Sequence, residues 1–170
     1  MPEEANSSLD DVGAQDEPSL PVAGFGVRLI AYLFDVLPIT LVVAAVFYFF
    51  LGFDDTLHRY TNSGTDDIEA RTQFLSQRNR IRDVSFVVYI LYCAVCEGSA
   101  LQGTVGKYLL GLRVTDIQGQ RLSVGRSFGR NFAKILSYLP CALGFLWVLW
   151  AKDKQGWHDM LARTLVKTTR

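Results

Sequence analysis

Arg28, Asp35, Glu97, Arg130, Asp153, His158 and Asp159 are side chains able to form ion pairs or carry protons, and all stand in or beside apolar stretches of this chain. Arg28 and Asp35 lie inside the run Val27–Leu51, which is long enough to cross a bilayer core at about 20 residues per crossing. A charge near the middle of such a run costs at least about 2.5–3.5 kcal/mol. Both side chains must therefore face protein partners or a polar cavity. They share one side of a helix but stand about 10 Å apart along it, so each is expected to pair with a different segment. Two readings stay open for the set Arg28, Asp35, Glu97, Arg130, His158 and Asp159. They are buried structural pairs that fasten the spans together, or Asp35 is a titratable or cation-binding carboxylate on an ion or proton path.

Other chemistry finds little purchase. Gly106-Lys107 invites comparison with a phosphate-binding loop, but Leu101 stands where its first glycine belongs and Tyr108 where its hydroxyl residue belongs. His58 and His158 have no His or Cys at metal-ligand spacing, so neither metal nor cofactor is expected. No Ser or Cys sits in a nucleophile elbow, and the chain reads as a non-enzyme. Cys93-x-x-Cys96 lies in a membrane-like helix, and Cys93, Cys96 and Cys141 read as small buried hydrophobes.

The elements that carry these residues follow from where the apolar residues collect. Hydrophobic residues make up 49% of the chain, gathered in three blocks that read as membrane segments at about 27–51, 84–100 and 132–150. Lys and Arg number 17 against 17 Asp and Glu, a balance that argues against a nucleic-acid partner. Residues 1–23 read as a disordered acidic tail and 24–170 as one membrane domain. The first 26 residues hold no Lys or Arg, so the basic start of a signal peptide is missing. Insertion in the cell membrane is then expected through the first span, uncleaved. The expected partners are the bilayer and either a second copy or other membrane proteins.

The polar connection 52–83 starts as loop and turns helical from Asp66, with Asp67 and Arg71 as a favourable pair one turn apart. Arg78, Arg80 and Arg82 would reach lipid headgroups. In the segment 111–131, Gly111–Val114 and Arg121–Val124 flank Gly119 and read as a short β-hairpin. An amphipathic interfacial helix then starts at Ser123 as N-cap, with Arg126, Arg130 and Lys134 toward headgroups and Phe128, Phe132, Ile135 and Leu136 on the other side. Gly129, Ala133, Ser137 and Cys141 form a ridge of small residues suited to close helix packing. Three full crossings would put seven cations on one side and ten on the other. If the third segment enters and returns, breaking at Pro140–Gly144, the split becomes twelve against five and Thr164–Thr168 can join the hairpin as a strand.

Taken together, these residues resemble the RDD family of small integral membrane proteins, named for one arginine and two aspartates. Arg28-x-x-Ala31-x-x-x-Asp35 matches its opening signature. Gln102-Gly103-Thr104-x-Gly106-Lys107 with Gly111-Leu112-Arg113-Val114 matches the segment after the second span. Arg126, Arg130-Asn131, and His158-Asp159 with Thr164 match the rest. The resemblance covers roughly Gly24 to Lys167 and implies a mainly α, multi-pass membrane protein of a mostly bacterial family without one settled activity. Some members are linked to sodium/proton exchange, and others look like accessory partners of membrane complexes. Asp35 is the position the resemblance marks as functional, with Arg28 and Asp159 as companions.

Overall fold

The computed structural model describes residues 20–63, 67–138 and 143–169. Most of the expected tail, together with Asp66, Pro140 and Cys141, lies outside them. The first helix, α1 (Phe25–Phe50), is 26 residues long, roughly 39 Å at helical rise. Only Ala31 and Asp35 are buried along it, while Leu37, Leu41, Phe49 and Phe50 are all more than 60% exposed. An apolar surface of that extent suits lipid rather than water. Among the described residues α1 is the one helix long and apolar enough to cross a membrane.

Gly52, at φ +69° in the left-handed region that glycine accepts freely, turns the chain into α2 (Phe53–Asn62). That helix packs against the polar first half of α3 (Ile68–Gly98), where Tyr60 stacks on Phe74 at 4.3 Å and Gln77 Nε2 donates to Thr56 Oγ1 at 2.9 Å. Asp67 caps α3 by accepting from the Ala70 amide at 2.9 Å. The expected second span is the C-terminal half of this helix, which is apolar only from Val84 onward and ends at Gly98. Arg78, Arg80 and Arg82 are exposed on its polar half. A short turn of helix, α4 (Val105–Leu109), then leads into strand β1 (Leu112–Asp116).

The hairpin expected across Gly119 does not form. β1 pairs antiparallel with β2 (Thr164–Thr168) at the far end of the chain, Leu112 opposite Thr168 and Val114 opposite Val166. Only Thr115 and Arg121 bridge across the local turn. The Asp116 side chain fastens that turn by accepting from the amides of Gln118 and Gln120. The Arg121 guanidinium is drawn to the Gly98 carbonyl at 2.6 Å, and Ser123 at once caps α5 (Val124–Tyr138). Too little chain is left for a ladder. Pro21–Ala23 line the other edge of β2, with the Ala23 amide donating to the Val166 carbonyl at 2.8 Å. Ala23, Ala31, Leu112, Val114, Leu122 and Val166 form the small core beneath the sheet.

The third apolar block is not one straight helix among the described residues. α5 stops at Tyr138, α6 (Leu143–Leu146) follows, then a 3-10 turn over Trp147–Leu149, and α7 (Trp157–Ala162) leads into β2. A Cβ placed on Gly144 would lie 2.8 Å from the Ser137 Cα, so α6 folds back hard against α5. The chain entering α1, the strand after α3 and the C-terminal strand all meet at one end of the molecule.

Candidate functional site

Two polar constellations occupy that end. The first surrounds Asp35, which is 4% exposed at the junction of α1, α3 and α4. Its carboxylate accepts from Thr104 Oγ1 at 2.5 Å, the Gly106 amide at 2.8 Å and the Tyr92 hydroxyl at 3.2 Å. All three donors are neutral. The Thr104-x-Gly106 spacing follows from this geometry. Thr104 caps α4 while reaching Asp35, and a Cβ on Gly106 would run into the Ala31 carbonyl and lie 2.9 Å from the Asp35 carboxylate. Only glycine lets α4 approach α1 this closely.

The second constellation is a buried ion network. Glu97, fully buried on α3, receives Lys107 Nζ on one carboxylate oxygen and Arg130 Nη1 on the other, with Asn131 Nδ2 at 2.8 Å. Arg130 continues to Asp159 Oδ1 on α7 through Nε at 2.9 Å and Nη2 at 2.6 Å. Asp159 Oδ2 takes Arg28 Nη1 at 2.7 Å and the Gly156 amide at 3.2 Å. Arg28 Nε in turn donates to the Ala23 carbonyl at 3.1 Å. One path of charge therefore ties α1, α3, α4, α5 and α7 together.

Burial by itself raises the Asp159 carboxyl, but His158, Arg130 and Arg28 outweigh it and hold the group well below the usual carboxylate range. Burial also lowers the His158 imidazole to about 3, against the pull of Asp159 and reinforced by Arg130, Lys134 and Lys107. His158 is thus neutral at physiological pH, so the two guanidiniums supply the charge that Asp159 feels. Its Nδ1 lies 3.3 Å from Ser137 Oγ. Burial lowers the Lys107 ammonium, partly offset by Glu97.

Arg28, Glu97, Arg130, His158 and Asp159 are brought together, whereas Asp35 sits outside the ion network. Asp153 takes no part in the described ion pairs. Arg130 and Lys134 do not face headgroups: both are nearly inaccessible, turned toward Glu97, while Phe132 and Ile135 of the same helix are exposed. α5 is amphipathic with its charged face inward, where Glu97 supplies the counter-charge. Arg126 remains outside, 3.5 Å from Asp116 and donating to the Ala162 and Arg163 carbonyls. Of the small-residue ridge, Gly129 faces open space. The close approach to α3 is made instead by Ser127, whose Oγ donates to the Ala94 carbonyl at 2.7 Å, and by Gly98 against Val124. Lys107, Asn131, Thr104 and Tyr92 belong to these constellations without having been singled out for them. A Lys and a Thr flanking a glycine, just past a span that ends in Glu97, was the available signal.

This geometry fits a family defined by one arginine and two aspartates, and the chain belongs to the RDD family, whose profile matches residues 22–163. RDD proteins are membrane proteins. A curated relative, the uncharacterized protein YxaI of Bacillus subtilis (strain 168), is 31% identical over 149 residues, covering 85% of this chain and 95% of that protein. No solved structure matches.

Proposed function

We propose that this protein is a multi-pass membrane scaffold or accessory module of the RDD type, in which the buried charges hold the membrane segments in one arrangement. In this reading α1 and the apolar half of α3 cross the bilayer, and α5 with α6 enters and returns. Both ends of the domain then share the side that carries the cation excess. The observation that carries it is the path Arg28–Asp159–Arg130–Glu97–Lys107, which joins five helices and leaves each carboxylate matched by cations. Asp35 supports the same reading, since three neutral donors occupy its oxygens and its place is a joint rather than an open path. The α2 hairpin on the polar half of α3, with Arg78, Arg80 and Arg82 exposed, is the part free to meet headgroups or other membrane proteins.

Reconstituted vesicles test the assignment. The wild-type protein should drive no sodium- or potassium-dependent proton flux. Asp35→Asn should still fold, because an amide oxygen can accept from the Gly106 amide in place of the carboxylate. Robust wild-type exchange that vanishes in a folded Asp35→Asn variant would establish the antiporter alternative and end the scaffold reading.

A further inference from the structure

Cations outnumber carboxylates in the buried network. Arg28, Lys107, Arg130 and Lys134 face Glu97 and Asp159, and counting the separately bonded Asp35 still leaves a positive excess. The surplus is concentrated at two groups. Lys134 Nζ is buried 3.8 Å from Glu97, beyond hydrogen-bond reach, and Arg28 Nη2 is buried as well; neither has a hydrogen-bond partner among the described residues. Leaving buried donors of charged groups unmet is costly. Both residues line one cavity of about 300 Å³, together with Lys107 and Arg130. Lys134 Nζ also lies 5.3 Å from the Tyr89 ring, which forms part of the same wall.

Apart from His158, Tyr32 and Tyr89, the rest of the wall is apolar. Leu29 of α1 and Phe145 and Leu146 of α6 line it, and Leu29 reaches the exposed outer surface. Four cations beside an apolar lining that reaches the outer surface at Leu29 match an amphiphile with an anionic head. Arg and Lys donors suit phosphate oxygens, and basic pockets between membrane helices are known to take phospholipid heads. We infer that this cavity binds an anionic phospholipid, its phosphate between Lys134 and Arg28 and one acyl chain along Leu29, Phe145 and Leu146. The site goes beyond the scaffold reading: Arg28 fastens Asp159 through Nη1 and offers the lipid its unmet Nη2, and Lys134, outside the hydrogen-bonded path, offers its ammonium.

Thermal unfolding of the full chain in an uncharged detergent tests this. Added phosphatidylglycerol should raise the midpoint, and phosphatidylcholine and millimolar inorganic phosphate should not. Lys134→Gln should weaken the phosphatidylglycerol effect about tenfold. Without lipid it should unfold no lower than wild type, because an unmatched ammonium has gone. Lys134→Arg should restore the lipid effect, and Lys152→Gln, at an exposed lysine away from the cavity, should leave it intact. Equal stabilisation by phosphatidylcholine, an equal shift with inorganic phosphate, or a full phosphatidylglycerol response in Lys134→Gln would each overturn the inference. Should Lys134→Gln fail to fold, the comparison of the three additives on wild type still decides it.

Discussion

Asp35 and Glu97 are both buried carboxylates on helices that face each other, at 4% and 0% exposure, yet they are satisfied in opposite ways. Asp35 is met by two hydroxyls and a backbone amide, Glu97 by an ammonium, a guanidinium and a side-chain amide. The first is a steric joint, in which the acceptor fixes where α4 can sit. The second is a charge junction, in which removing any member leaves the others exposed to one another. The difference teaches that a charge in an apolar helix can serve either geometry or electrostatics, and only its donors tell which.

The comparison breaks first at Glu97. Glu97→Gln leaves Arg130 and Lys107 without their shared counter-charge and should cost about 3–5 kcal/mol, read as loss of the folded fraction in detergent. If it costs no more than Asp35→Asn, the two sites are not different in kind. Gly106→Ala comes next, since its methyl would meet the Ala31 carbonyl and the Asp35 carboxylate. About 1–3 kcal/mol is expected for that overpacking, with the ion pairs untouched. A separation of α4 from α1 should appear as faster hydrogen exchange at Gly106 and Tyr108.

Acid sharpens the contrast by a smaller step. His158 faces Ser137 on α5, the Phe145 ring on α6, its neighbour Asp159, and Arg130 and Lys134. Its folded pKa lies below its unfolded value, so the unfolded chain takes up a proton near pH 6.5 that the folded protein refuses. The stability it contributes is present above pH 6.5 and is lost as the pH falls toward about 3, at up to about 1.4 kcal/mol per pH unit. Asp159 adds to the loss below the ordinary carboxylate range. His158→Gln should flatten the melting-temperature slope between pH 6.5 and 4.5, and an unchanged slope would mean that the proton is taken elsewhere.

Much of this site was legible in the sequence through cost alone. Arg28 and Asp35 stood out because charges in a span need partners, and Glu97, Arg130, His158 and Asp159 were in reach of the same spans. The pairing was not legible, because Arg28 finds Asp159 131 positions away, through contacts that no local spacing encodes. The β1–β2 ladder was half legible: Thr164–Thr168 read as a strand able to join the hairpin, while the turn at Gly119 suggested a local partner that does not pair. Lys134 was sent to the headgroups by the rule for interfacial helices: its four-residue spacing from Arg130 marks a face of the helix but not which way that face turns. Around a membrane protein the greasy face is the outer one, so the basic face goes inward. Lys107 was dismissed with the failed phosphate loop, although the glycine before it was already a sign of close backbone approach.

The sheet that joins Pro21–Ala23, β1 and β2 sets a timetable for biogenesis. Asp159 follows Arg28 by 131 positions and β2 comes later still, so Arg28 is made long before its counter-charge exists. Until α7 has been made, the nascent chain carries an unmatched guanidinium at the start of its first helix. A copy interrupted before Asp159 would keep that charge unmatched, and this end of the fold closes only once both partners are present.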